Sequence, residues 1–205
     1  MFTGIVAAVG RIASVTPLAA AADAGVRLQV EAGTLELDDV AIGDSIAIQG
    51  ACMTVVEKTP GRFAVDVSRE SLDCTVGLDG PHEVNLEKAM RPSDRLGGHM
   101  VSGHVDGLGT VLDFAPVGES HALRLRAPRE IGRYLAYKGS VTVNGVSLTV
   151  NRVEDVAEGC DISINLIPHT VQVTTLRHLR AGAPVNLEID LIARYVERSL
   201  NAPRD

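Results

Sequence analysis

Tryptophan is absent from this 205-residue chain, and its three cysteines, Cys52, Cys74 and Cys160, include no Cys-x-x-Cys pair. An odd number of thiols at such spacings excludes both a disulfide framework and a structural zinc site. Basic residues are outnumbered, 19 Lys and Arg against 26 Asp and Glu, and the net charge of −7 leaves no positive field to hold nucleic acid. Long hydrophobic runs are missing too: LAAAA, Leu18 to Ala22, falls far short of a bilayer span, so no membrane segment is expected. The opening MFTGIV has neither the basic flank nor the apolar core of a secretion signal, and a cytoplasmic location is expected. There is also no phosphate loop, no Gly-x-Ser-x-Gly elbow and no metal-spaced cluster of histidines or carboxylates, so no metal site is expected.

What the chain does contain is a repeat. MFTGIV (Met1–Val6) returns as MVSGHV (Met100–Val105), IQGACMTV (Ile48–Val55) as VNGVSLTV (Val143–Val150), and VNLE (Val84–Glu87) as VNLE (Val185–Glu188). The matches keep their order, so one unit of roughly 95 residues has been duplicated. With 45% hydrophobic residues the chain can build two modest cores, and we divide it into 1–92, 93–190 and a tail, 191–205. The turn-rich RPSDRLGG, Arg91 to Gly98, links the halves.

Within each half, apolar and polar residues alternate, as at Val26, Leu28 and Val30 and again at Leu123 and Leu125. A period of two means strands with one buried face. Six strands are expected in the first half, near 4–14, 26–31, 44–49, 52–58, 62–68 and 83–88. The second offers 103–114, 121–127, 140–144, 147–154, 161–167 and 184–190. Short strands separated by Gly, Pro and Asp favour a closed antiparallel barrel, which leaves no unpaired edge. The fold class is therefore all-β, two barrels in tandem. Helical signals are few: Pro128–Tyr137, a single turn at Leu35–Val40, and the tail Leu191–Leu200, where Leu191, Ile192, Tyr195, Val196 and Leu200 form one apolar stripe. That stripe either docks on its own domain or joins subunits.

Two clusters could carry chemistry. In GGHMVSGHVDG, Gly97 to Gly107, His99 and His104 are five residues apart and would point to opposite strand faces, so they do not chelate one metal together. Each could be a structural histidine or a base, and the flanking glycines let a ligand approach the main chain. The second cluster is the pair GACMT (Gly50–Thr54) and GVSLT (Gly145–Thr149). Cys52 with Thr54, and Ser147 with Thr149, share a strand face and can address one ligand. The competing reading makes Cys52 a small core residue. The copies agree in their glycines and threonines but differ in reactive groups: Cys52 faces Ser147, and Ile5 faces His104.

Taken together, MFTGIV, GGHMVSGHVDG, the paired Gly-x-Cys-x-Thr and Gly-x-Ser-x-Thr strands and the repeat resemble the riboflavin synthase family, over about residues 1–200. The resemblance implies two six-stranded Greek-key barrels followed by a C-terminal helix, with three chains joined through their helices. It implies a transferase that dismutates two molecules of 6,7-dimethyl-8-ribityllumazine into riboflavin and a ribitylaminopyrimidinedione by moving a four-carbon unit, with no cofactor. Lumazine synthase is the candidate protein partner. A non-catalytic lumazine- or flavin-binding antenna is the alternative.

Carried over by the resemblance, a first pocket uses Gly4, Ile5, Val6, Ala51, Cys52, Met53, Thr54 and the stretch Asp66, Val67, Ser68, Arg69, Glu70, Ser71. A second uses Gly103, His104, Val105, Lys138, Ser147, Leu148, Thr149 and the stretch Asn165, Leu166, Ile167, Pro168, His169, Thr170. Phe2 and Thr3 close the site, and Asp190 is an ionic or hydrogen-bonding partner. His104, with Ser147 and Thr149 placing the ring, is the leading candidate base and His99 the second; Cys52, a bound water or a ribityl hydroxyl is the nucleophile. The chain departs from the family pattern at Gln49, usually Asn, at Asn144, often Asp, and along Asp73–Glu83.

Overall fold

The computed structural model describes residues 1–21 and 23–201; the end of the expected tail, 202–205, lies outside them. The first barrel contains β1 (Ala8–Pro17), β2 (Val26–Glu31), β3 (Ser45–Ile48), β4 (Ala51–Thr59), β5 (Arg62–Val67) and β6 (Glu83–Lys88), with a short helix α1 (Arg69–Cys74) before β6. The second contains β7 (Gly107–Val117), β8 (Ser120–Ala127), β9 (Ser140–Val143), β10 (Val146–Val156), β11 (Gly159–Leu166) and β12 (Pro184–Ile189). Helix α2 (Arg129–Gly132) follows β8, α3 (Pro168–Val173) and a 3-10 turn at Thr175–His178 follow β11, and α4 (Leu191–Asn201) ends the chain.

Both barrels close with the same strand order, β1-β2-β5-β4-β3-β6 and β7-β8-β11-β10-β9-β12, every pair antiparallel. The duplication extends to the irregularities. Register slips at Ile12/Ser14 and Val55/Glu57 recur at Val111/Asp113 and Val150/Arg152. Such bulges add the local twist that a six-stranded sheet needs to curl shut. Each barrel has its own apolar filling, led by Leu28, Ile46, Ile48, Phe63 and Leu86 in one and by Leu123, Leu125, Val141, Ile162 and Leu187 in the other.

The barrels meet at their β3–β4 and β9–β10 hairpins. Gln49–Gly50 (φ 52 and 89) and Asn144–Gly145 (φ 50 and 80) are two-residue loops with both φ positive, the backbone that suits a twisted hairpin. The two turns lie back to back, where a Cβ on Gly50 would sit 2.7 Å from the Gly145 nitrogen. Asn85 donates to the Asn144 carbonyl and Asn186 to the Gln49 carbonyl, each at 2.9 Å. In return the side-chain oxygens of Gln49 and Asn144 accept from the Asn85 and Asn186 amides at 3.0 and 2.8 Å. Gln49 and Asn144, two of the three departures noted in the sequence, thus fall on buried turns that join the barrels.

Several sequence expectations move. Strands expected from 4 and 103 begin only at Ala8 and Gly107, because Gly4 (φ 74) and Gly103 (φ 79) adopt left-handed backbone that a strand cannot contain. The helix expected over Pro128–Tyr137 is confined to Arg129–Gly132 and then tightens into i→i+3 turns, Tyr134 to Ile131 and Leu135 to Gly132. Leu35–Val40 forms no helix, only a turn closed by Val40 N–H on the Leu37 carbonyl at 3.0 Å. Helix α4 matches expectation. It is anchored by polar contacts, Arg194 to Asp106 at 2.6 Å and Arg133 to Glu197 at 3.0 Å, while Ile192, Tyr195, Val196 and Leu200 remain at least half exposed.

Candidate functional site

Two glycine segments set the geometry. Phe2 and Val101, equivalent in the repeat, pair as an isolated antiparallel bridge with N–H to carbonyl distances of 2.8 and 3.1 Å. From that bridge each segment crosses to the other barrel. The Gly4 carbonyl accepts from Ser147 N–H on β10, and the Gly103 carbonyl accepts from Cys52 N–H on β4, both at 2.7 Å. Val6 packs on the second barrel's core and Val105 on the first's. Only glycine fits these crossings, since a Cβ would lie 2.6 Å from Ser147 Cβ at Gly4 and 2.7 Å from Cys52 Cβ at Gly103.

The expected grouping is therefore corrected. Gly4, Ile5 and Val6 belong with Ser147, whereas Gly103, His104 and Val105 belong with Cys52. Strand periodicity assigns a residue to a face of its own sheet, and it holds no record of a segment leaving for another barrel.

On the first barrel a cavity of about 370 Å³ is lined by Ala51, Cys52, Met53, Glu70, Ser71, Cys74, Thr75, Gly103, His104 and Val105. Cys52 is half-buried and His104 exposed, so both remain reachable. Glu70, Ser71 and Cys74 arrive on α1, which begins where the Ser68 hydroxyl accepts from Ser71 N–H at 3.1 Å. Other members of the carried-over set are engaged elsewhere. Asp66 accepts from Arg27 at 2.7 and 2.9 Å, Val67 fills the core, Ser68 caps α1, Arg69 bonds Asp73, and Thr54 is exposed farther along β4. Cys74 and Thr75 were missed; a serine cap followed by RESLDC was the available signal for the helix that brings them in.

The second barrel carries the equivalent residues. Ser147 is half-buried and Thr149 exposed on the outer face of β10, while Leu148 points inward at 8% exposure. His99 joins this group: its Nδ1 lies 2.7 Å from Ser147 Oγ, its N–H donates to the Thr3 carbonyl, and its buried Nε2 has no partner among the described residues. Burial pushes the His99 imidazole below its ordinary pKa, with the Asp190 carboxylate opposing, so it is neutral at pH 7. Asp190 itself accepts from Ile192 N–H at 2.9 Å, capping α4. Asn165, Ile167 and His169 are exposed, Leu166 lies in the core, and Pro168 opens α3, whose first turn includes Thr170. Lys138 adopts a left-handed conformation (φ 63) and donates to Asn151 at 2.9 Å; the first barrel has Gly43 at this point.

A family profile described as "Lumazine binding domain" matches the chain twice, at residues 3–89 and 102–190. The chain is 45% identical to a protein named riboflavin synthase from Photobacterium phosphoreum, covering 98% of this chain and 89% of that one. It is 41% identical to a riboflavin synthase from Mycobacterium bovis, covering 98% and 99% of the two chains. This chain belongs to the riboflavin synthase family. Among solved structures, LumP complexed with riboflavin matches with a TM-score of 0.76 at 25% identity, covering 92% of this chain and 99% of that one. LumP complexed with 6,7-dimethyl-8-(1′-D-ribityl) lumazine matches at 0.77 and 24% identity, covering 92% and 98%, a likeness of fold.

Proposed function

We propose that the two pockets each hold one 6,7-dimethyl-8-ribityllumazine and that the chain catalyses their dismutation to riboflavin and 5-amino-6-ribitylamino-pyrimidinedione. The observation that carries this is the exchange of segments: one pocket joins Cys52 with His104, its twin joins Ser147 with His99, on a single duplicated frame. Identical substrates meet unlike side chains, so one molecule can donate carbon and the other receive it. The products together contain the atoms of the two substrates, so the exchange consumes no oxidant or reductant. The protein's main contribution is to hold two flat rings in register, an effective-concentration effect of about 7 kcal/mol or more.

The lumazine 7-methyl group is acidic because its carbanion delocalises into the ring. His104 stands beside Cys52 to take that proton in one pocket. In the other, neutral His99 is buried and orients Ser147 from a ring nitrogen 2.7 Å from its hydroxyl. Such proton transfer contributes about 10²- to 10⁴-fold. The nucleophile for the second ring is Cys52, a water or a ribityl hydroxyl. The pockets of one chain lie on separate barrels, so the reading pairs the first barrel of one chain with the second barrel of a neighbour. The exposed apolar stripe of α4 is the surface that joins three chains. The reading extends to a cytoplasmic location and to lumazine synthase as a partner.

The test is incubation with 6,7-dimethyl-8-ribityllumazine alone, read by ligand fluorescence against a protein without tryptophan. Formation of riboflavin supports the reading. Tight binding of unchanged lumazine would instead assign an antenna role.

A further inference from the structure

Neither pocket includes the two most buried acidic side chains of the repeat, Glu87 on β6 and Glu188 on β12, at 8% and 2% exposure. Glu188 accepts from Ser102 N–H at 2.7 Å, Ser102 hydroxyl at 2.6 Å and Gly103 N–H at 3.0 Å. Glu87 accepts from Thr3 N–H at 2.7 Å, Thr3 hydroxyl at 2.7 Å and Gly4 N–H at 3.0 Å. In both cases the same glycine turns its carbonyl to the opposite barrel, onto Cys52 or Ser147. We propose that Glu87 and Glu188 are positioning residues, each clamping the glycine segment that completes the opposite barrel's pocket. The inference rests on the dismutation reading for its kinetic consequence, and on geometry alone for the clamp.

The clamp has a directional logic. Glu188 sits in the second barrel and fixes His104 against Cys52 of the first; Glu87 sits in the first barrel and fixes Gly4 against Ser147 of the second. Burial pushes both carboxyls above the ordinary glutamate pKa, against the hydrogen bonds they accept; Asp106 adds to the rise at Glu188, and the chain's N-terminal ammonium opposes it at Glu87. A raised folded pKa gives stability that is fully present below the ordinary glutamate value and lost as pH rises through the raised one. Each carboxylate accepts on both oxygens, so an isosteric amide must turn its NH2 toward a buried donor and should loosen its own segment.

The chain's cysteines allow a direct test. Cys52 lies under the Gly103 crossing, Cys74 is exposed, and Cys160 is buried with its thiol pushed up to about 11. Intact protein is alkylated with iodoacetamide and each cysteine followed by peptide mass. Glu188→Gln should raise the Cys52 rate several-fold, with Cys74 unchanged and Cys160 still protected, while Glu87→Gln leaves Cys52 at the wild-type rate. Each variant should also slow turnover of 6,7-dimethyl-8-ribityllumazine by about a hundredfold, the loss that follows a misplacement near 1 Å. Should Glu188→Gln expose Cys160, Ser102→Ala, which removes one clamp donor, carries the same test. Equal Cys52 rates in wild type and in folded Glu188→Gln or Ser102→Ala would overturn the proposal. If wild-type protein forms no riboflavin, the dismutation reading fails while the alkylation pattern still judges the clamp.

Discussion

His99 and His104 stand five residues apart yet serve different barrels, His99 bonded to Ser147 and His104 lining the cavity of Cys52. His104 is exposed, so His104→Ala should change stability by less than about 0.5 kcal/mol while cutting turnover by about 10²-fold or more. Cys52→Ala should likewise cost more activity than stability; steady-state rates and thermal melts of the same samples check both, and wild-type rates in folded variants would remove these residues from the mechanism. Lys138 holds a left-handed backbone where the first barrel has glycine, so Lys138→Gly should raise stability by up to about 1 kcal/mol. If its ammonium binds substrate, that gain comes with a weaker KM, measurable in one titration. A depressed His99 pKa means the neutral ring's contribution to stability is present above the ordinary histidine value and lost as pH falls through the depressed one. At this scale the sequence singles out residues that the structure brings together: Cys52 and His104 line one cavity, and His99 is bonded to Ser147. It was blind to company, since hydrogen bonds from Ser147 to Gly4 and from Cys52 to Gly103 join residues far apart in the chain and leave no local pattern.

Among the elements, the strands were legible because barrel walls alternate buried and exposed residues, as on β4, where Ala51, Met53 and Val55 point inward. The short helices α1 and α3 were not, because six residues are too few to show a 3.6 period; a serine cap and a first-turn proline were their only marks. The hairpin turns Gln49–Gly50 and Asn144–Gly145 hold the barrels together through their backbones. Gly145→Ala would place a Cβ 2.8 Å from the Gly50 nitrogen at a φ of 80. It should destabilise by roughly 2 kcal/mol or more, and a denaturant titration would reveal it. An unchanged midpoint would show that the turns can separate without loss.

For the whole molecule, duplication gives one chain two barrels of the same strand order, and in each a glycine segment crosses to bond the other barrel. Removing α4 after Asp190 deletes the contacts of Arg194 and Glu197 but no barrel strand. The shortened chain should keep its barrels by circular dichroism yet lose assembly by light scattering, and lose activity with it; a fully active monomer would refute a site shared between chains. The most direct measurement is the stoichiometry of the reaction with 6,7-dimethyl-8-ribityllumazine as sole reactant. The account predicts two lumazines consumed for each riboflavin and each pyrimidinedione formed, and lumazine that is bound but never converted would contradict it.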